Sequence, residues 1–234
     1  MESTRKPPTG VLERGLRLLE CFTQDHPRRH LKDLSEESGL DKATALRALR
    51  TLVEHGYLQK NSDGSYSPGP ANLRLSALFR ATSNIITRLE APVQQISQRT
   101  GLTTSFFVRS NDERLCLVRD QARRDFRFYV EVGASVAMRE GGAAARVLEA
   151  FTGPDSELNA RIRADGYYIS HGERNKHFAS IGISLFESDA TFLGAITITG
   201  MAIDLTDEQL MSFVDIVEEE VARSGFLIRK SQPG

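Results

Sequence analysis

A chain of 234 residues with 40% hydrophobic and 26% charged side chains is too apolar for a disordered chain, and long enough to bury a core in one large domain or two small ones. No stretch nears the roughly 20 apolar residues of a membrane span, no signal-peptide pattern follows the opening MESTRKPPTG, and two cysteines, Cys21 and Cys116, exclude a disulfide framework, so a reducing cytoplasm is the expected compartment. The net charge of −1 excludes a chain-wide polyanion binder; residues 1–75 carry 12 Lys+Arg against 10 Asp+Glu and the remainder 18 against 21, a mild asymmetry that matters only where the basic residues cluster.

Residues 11–23, VLERGLRLLECFT, place Leu12, Leu16, Leu19 and Phe22 on one helical face. After the polar turn QDHPRRH, a short helix over residues 31–38 ends at Gly39, and Leu40 plugs the turn. Asp41 is the expected N-cap of a third helix running to His55, with Ala45, Leu46, Leu49, Leu52 and Val53 as its apolar stripe and Gly56 closing it. Residues 57–67 then carry a hairpin signature with Asp63-Gly64 in the turn.

This order predicts a winged helix-turn-helix. The short Gly-containing link Ser38-Gly39-Leu40 sets two helices at a steep angle, and the second can enter a major groove. Its outer face carries Lys42, Thr44, Arg47, Arg50 and Thr51. Arg47 is the candidate for a bidentate guanine contact, Thr44 for a phosphate or a thymine methyl, and Lys42 and Arg50 for phosphates; Lys60 and Asn61 of the wing would follow the backbone or minor groove. The competing reading is a solvated helix face in a small helical domain.

Pro68-Gly69-Pro70 breaks the chain. A helix over residues 71–81, an interruption at 82–84 and a longer helix from Ile85 to Gly101, with Pro92 inside it, follow. From residue 103 the period becomes that of strands, at residues 103–108, 114–119 and 126–132. Helices at about 143–151 and 156–164, strands at 179–186 and 193–199, and a last helix capped by Thr206 with Gln209 three residues on complete the pattern. The expected fold is α+β, an antiparallel sheet with flanking helices. The expected division is a DNA-binding domain at 1–75, a helical linker with a dimerising role at 76–100 and an effector-binding domain at 101–234.

No catalytic constellation stands out. His171, Glu173 and His177 have no metal-ligand spacing, Cys116 sits in the apolar run LCLV, and the phosphate-binding glycine motifs are absent, so no enzyme, metal or cofactor is expected. In Ile196-Thr197-Ile198-Thr199 the threonines face one way and the isoleucines the other, while Ser180 and Ser184 share a strand face. Such hydroxyls want a polar ligand, solvent or backbone partners. Gly141-Gly142 before Ala143 opens a helix whose free amides could take a carboxylate; a purely structural glycine pair is the alternative.

The segments VLERGLRLLECF, LKDLSEESGLDKATALRALRTLVEHGYL and DGSYSPG, together with IRADGYYISHGE and FLGAITITG in the second half, resemble the IclR family of bacterial transcriptional regulators. The resemblance implies a GAF- or PAS-like second domain with a ligand cavity on one sheet face. It places effector contacts on Val136, Gly142, Ala143, Ser170, Ser180, Thr197 and Thr199, with Met138 as an adjoining wall. Arg139 stands where the family commonly has His, and Ala144-Ala145-Arg146 where it commonly has Gly-Lys-Ala; an arginine near the pocket would favour an acidic ligand, or could equally bind a neighbouring acidic residue such as Glu140 or Glu173. The expectation is a ligand-responsive regulator of repressor type. It would bind double-stranded operator DNA and a small carboxylate-bearing metabolite, form a dimer or tetramer, and have no membrane partner. A constitutive regulator with a degenerate second domain, and an enzyme fused to a DNA-binding segment, are the alternatives.

Overall fold

The computed structural model describes residues 10–121 and 130–229, in two compact units, Met1–Ser83 and Asn84–Gly234. The first unit comprises α1 (Val11–Glu20), α2 (Leu31–Ser38), α3 (Lys42–Glu54), the hairpin β1 (Leu58–Lys60) and β2 (Tyr66–Pro68), and α4 (Pro70–Thr82). Gly39, at φ +70°, ends α2 in the left-handed region, where a Cβ is costly. Ser35 closes the turn by donating its hydroxyl to the Leu40 carbonyl at 2.6 Å. Asp41 then caps α3, its carboxylate accepting from the amides of Ala43 and Thr44 at 3.0 and 2.9 Å. Leu18, Leu34, Leu40, Ala45, Leu49, Leu58 and Tyr66 form the core beneath this pair of helices. Backbone bonds in both directions between Arg29 and Tyr66, at 3.0 and 2.7 Å, tie the loop before α2 to the wing.

One helix is rotated from the sequence expectation. The core takes Leu18 of α1 and Cys21 just after it, with Leu19 and Phe22 partly buried, while Leu12 is 77% and Leu16 50% exposed. At 100° per residue the apolar sector of α1 is broader than one buried face, and the core uses the half centred on Leu18. Helix α4 buries no residue at all.

The second unit opens with α5 (Asn84–Thr100), which runs through Pro92 and packs its Ile86, Leu89, Val93 and Ile96 into this unit's main core. The sequence reading had placed these residues in the linker. Seven antiparallel strands follow: β3 (Thr103–Ser110), β4 (Glu113–Asp120), β5 (Ser135–Ala137), β6 (Tyr167–His171), β7 (Phe178–Phe186), β8 (Phe192–Met201) and β9 (Leu227–Ile228). Their order is β5-β4-β3-β8-β7-β6, with β9 also paired to β7. Helices α6 (Ala143–Thr152) and α7 (Glu157–Asp165) precede β6, and α8 (Asp207–Ala222) follows β8, capped by the reciprocal Thr206–Gln209 bonds foreseen from sequence.

The strand expected at residues 126–132 falls partly outside the described residues; Val130, Glu131 and Val132 are not strand, and the sheet edge is instead the short β5.

Alternation splits the sheet between two layers. Phe106, Ile181, Ile183, Ile196 and Ile198 point into the core with α5 and α8; Phe107, Cys116 and Ala195 pack with Val147 and Leu148 of α6 and Ile162 of α7. Fully burying each such isoleucine or phenylalanine contributes about 1.5–3 kcal/mol before entropy is counted.

Candidate functional site

On α3, Lys42, Arg47, Arg50 and Thr51 are exposed and Thr44 is half-buried. The Arg47 guanidinium donates to the Thr44 hydroxyl at 3.3 Å, and the Thr51 hydroxyl donates to the Arg47 carbonyl at 3.3 Å, so Thr44 lies one turn before Arg47 and positions it. Lys60 is exposed on β1, 5.9 Å above the Tyr66 ring. Asn61 behaves differently from a free contact residue. Its side-chain amide donates to the hydroxyls of Ser65 and Ser67 at 3.0 and 3.3 Å and so braces the wing. Exposed Arg28, absent from the sequence candidates, reaches the same end of this unit. The Asp63 carboxyl at the wing's tip is held below its usual range by the Ser65 hydroxyl and amide, with the charges of His30 and Arg28 adding to the effect.

The second unit holds a cavity of about 400 Å³ on the α6 side of its sheet. Strand register explains its floor. Ser170 of β6 pairs with Ser180 of β7, Ser180 with Thr199 of β8, and Thr199 with Thr103 of β3, which makes a row of four hydroxyl residues across four adjacent strands. The next row runs Tyr168, Gly182, Thr197, Ser105. Gly182 is required there, because a Cβ would lie 2.8 Å from the Ala143 carbonyl oxygen; the start of α6 is seated directly on the sheet. Thr197 donates to the Ser105 carbonyl at 3.5 Å, the limit of bonding, and so retains hydrogen-bonding capacity for another partner. Ser184, further along β7, is fully buried and donates to the Gly166 carbonyl at 2.8 Å; backbone, not ligand, satisfies it.

Six of the sequence candidates, Gly142, Ala143, Ser170, Ser180, Thr197 and Thr199, line this cavity. Val136, Met138 and Arg139 do not: Val136 is buried on the edge strand β5, Met138 packs against the α6 cluster, and Arg139 is exposed. They lie before the turn into α6, which is made by Gly141 and Gly142, both at positive φ.

The wall also includes polar residues outside the sequence candidates for ligand contact, among them Ser105, Arg114, Glu173 and Arg174. For Ser105 and Arg114 the signal was strand alternation, since Ser105 is paired with Thr197 and Arg114 lies two residues from Cys116 on β4.

Glu173 changes the chemistry of the α6 start. Its carboxylate accepts from the Gly142 amide at 3.1 Å and from Arg146 Nε at 3.0 Å. Burial pushes its carboxyl up, but the Gly142 amide, the Tyr168 hydroxyl and Arg146 outweigh burial and hold it below the usual range. The same turn carries Arg174, whose Nε donates to Glu140 at 2.9 Å. His171 pairs instead with Asp207 of α8 at 2.6 Å, so the sequence cluster of His171 and Glu173 is divided between two helices. Burial pushes the Cys116 thiol up to about 12, a value for a packing residue and not for a nucleophile.

Comparison with known proteins bears on the fold of both units. Residues 11–62 match the family described as the IclR helix-turn-helix domain. The transcriptional repressor IclR of Escherichia coli is 21% identical over 88% of this chain and 86% of its own. Among solved structures, an IclR transcriptional regulator from Alicyclobacillus acidocaldarius superposes with a TM-score of 0.79 at 20% identity, covering 93% of this chain and 98% of that one. An IclR homologue from Microbacterium hydrocarbonoxydans in complex with 4-hydroxybenzoate gives 0.68 at 20% identity, covering 92% of this chain and 100% of its own. At these identities the structural likenesses are likenesses of fold.

Proposed function

The chain belongs to the IclR family of DNA-binding transcriptional regulators, and from that premise we propose that α3 and the wing read operator DNA, that two copies act together, and that a small anionic molecule in the sheet cavity changes the affinity for DNA. The carrying observation is the exposed Lys42-Arg47-Arg50 face of a helix whose opposite side is locked into the core by Ala45 and Leu49 and whose start is fixed by Asp41. A rigid helix with a free basic face is what groove entry demands. One such helix reads only a few base pairs, so two copies on a near-palindromic site supply affinity and spacing. The second copy has a surface to use: α4 exposes Leu73, Leu75, Leu78 and Phe79. Operator occupancy makes the regulator a repressor, as the Escherichia coli relative is, and its place is the cytoplasm.

The cavity lies within the 300–1,000 Å³ range of small-molecule sites. Its hydroxyl row and its walls of Phe107, Phe178 and Met201 suit a molecule with polar oxygens and an apolar body, as an aromatic acid has. The test has two arms. Selection of genomic fragments on the full-length protein yields the site, on which Arg47→Ala should cost about 1–3 kcal/mol and relax preference at one base pair. Lys60→Ala should weaken all sequences alike and flatten the salt dependence. Unchanged affinity and preference in Arg47→Ala would remove α3 from the groove. A thermal-shift screen of small organic acids, 4-hydroxybenzoate among them, tests the second arm; at 100 times its Kd a ligand adds about 2.7 kcal/mol.

A constitutive regulator is the second reading, and Glu173 is the observation that favours it. An internal carboxylate already meets the Gly142 amide that a ligand carboxylate would use.

A further inference from the structure

Arg114 is a buried arginine that makes no ion pair among the described residues. Only 4% of it is exposed, it lines the cavity, and among the described residues its one hydrogen bond is a long donation of 3.3 Å from Nη1 to the Ala137 carbonyl. No carboxylate of the described residues stands within ion-pair distance of it. Burial, and after it the like charge of Arg174, pull its pKa down to about 10; the nearby Glu140, itself bonded to Arg174, offsets this only in part. Even so the guanidinium remains charged at neutral pH. A buried charge without a partner is costly, and proteins retain one where something else completes it.

We propose that Arg114 is the anchor for the anionic group of the cavity's ligand, a monocarboxylate whose apolar body lies along Phe107 and Phe178 and whose remaining oxygens meet the hydroxyl rows. The proposal rests on the reading of the cavity as an effector site and replaces the anchor expected from sequence. Arg139 is exposed and outside the cavity, and the amide at the start of α6 is engaged by Glu173. Arg146, the other arginine near that helix, is likewise bonded to Glu173. Of the carboxylates on the cavity wall, Glu140 is bonded to Arg174 and Glu173 to Arg146, so among the described residues Arg114 is the wall arginine left without an ion pair of its own, and the anion belongs beside it. The planar fork of arginine accepts a carboxylate through two parallel bonds, a geometry that a lysine cannot reproduce.

The test compares acids with their neutral isosteres on the full-length protein by calorimetry. Benzoate and hexanoate are each paired with benzamide and hexanamide. The wild type should bind at least one acid at least tenfold more tightly than its amide. Arg114→Gln should erase that preference while leaving amide affinity within a factor of about three, and Arg114→Lys should restore part of it. An Arg114→Gln protein that still prefers the acid overturns the assignment, as does a wild type that binds acid and amide equally; in both cases the cavity stays a ligand site. Binding of neither class at millimolar concentration overturns the effector reading itself, and the anchor with it. Should Arg114→Gln fail to fold, the Nε–H resonances of ¹⁵N-arginine-labelled wild type decide. A saturable shift of the Arg114 signal with acid and none with amide supports the anchor, and no shift during acid binding overturns it.

Discussion

Thr104 and Ser105 are neighbours in the chain and face opposite layers of the sheet. Ser105 pairs with Thr197 on the cavity side, while Thr104 pairs with Ile198 on the core side, where its hydroxyl is fully buried and has no hydrogen-bond partner among the described residues. An unsatisfied buried hydroxyl costs about 1–3 kcal/mol, so Thr104→Val, which keeps the shape, should stabilise the second unit by an amount in the lower part of that range. For a domain of this size the melting temperature should rise by about 2–4 °C per kcal/mol, which differential scanning calorimetry measures; a fall would mean that the hydroxyl is satisfied. Thr197→Val is the contrasting case. Its own bond is marginal at 3.5 Å, so the fold should be nearly indifferent, while the affinity for a bound acid such as benzoate should drop by about 0.5–1.5 kcal/mol in a titration. The alternation that separates these roles was legible at residues 196–199, because threonine and isoleucine differ in polarity. It was not legible at Arg114: an arginine in a strand ordinarily marks the solvent face, and only the packing of α6 across β4 and β3 buries it.

Elements whose signals are local were readable, and those fixed by distant contacts were not. The Asp41 cap, the Gly39 turn and the Thr206–Gln209 box each need only a few adjacent residues. The edge strands β5, β6 and β9 were missed because two to five residues show little periodicity, and pairing with the neighbouring strand defines them. The side of α1 that faces inward was misjudged because its apolar sector exceeds what the core accepts. Two consequences belong to this scale. The Asp41 carboxyl is held below its usual value first by the Thr44 amide, with the Thr44 hydroxyl, the Ala43 amide and Arg47 assisting. A depressed folded-state pKa adds stability above the unfolded-state pKa, and that contribution is lost as pH falls through the folded value. Melting of the full chain should therefore show an acid-side loss below about pH 4 that is reduced in Asp41→Asn, which caps without titrating. Gly182→Ala places a methyl group 2.8 Å from the Ala143 carbonyl oxygen. The start of α6 must lift, at a cost of about 1–3 kcal/mol in denaturant unfolding, and acid binding should weaken because the cavity wall moves with it. An unchanged unfolding midpoint would show that α6 is not seated on the strand.

At the scale of the whole molecule, the proposed function requires a signal between a cavity in one unit and helix α3 in the other. A ligand shifts operator affinity only as far as it binds two states of the protein unequally, and linkage makes that effect reciprocal. The proposed dimerisation supplies a pair of states to couple, since α4 leaves Leu73 75% and Leu78 54% exposed and α1 leaves Val11 and Leu12 exposed, apolar side chains that a second copy would cover. Phe79→Asp, on the same exposed helix, should shift the protein from dimer toward monomer in analytical ultracentrifugation and weaken operator binding by an order of magnitude or more, since the second half-site contact is lost. It should leave the intrinsic affinity for a bound acid unchanged, because the cavity lies wholly within residues of the second unit. In the wild type a coupling of about 1–3 kcal/mol would change operator affinity about 5–150-fold when benzoate saturates the cavity, and saturating operator duplex must change benzoate affinity by the same factor. Measuring both factors, in wild type and in Phe79→Asp, separates the mechanisms. Equal factors in the wild type that collapse to one in the monomer place the coupling in the dimer. Equal factors that survive in the monomer place it within a single chain. A factor of one in the wild type, with benzoate bound, makes the regulator constitutive and leaves the Glu173-capped cavity without a regulatory role.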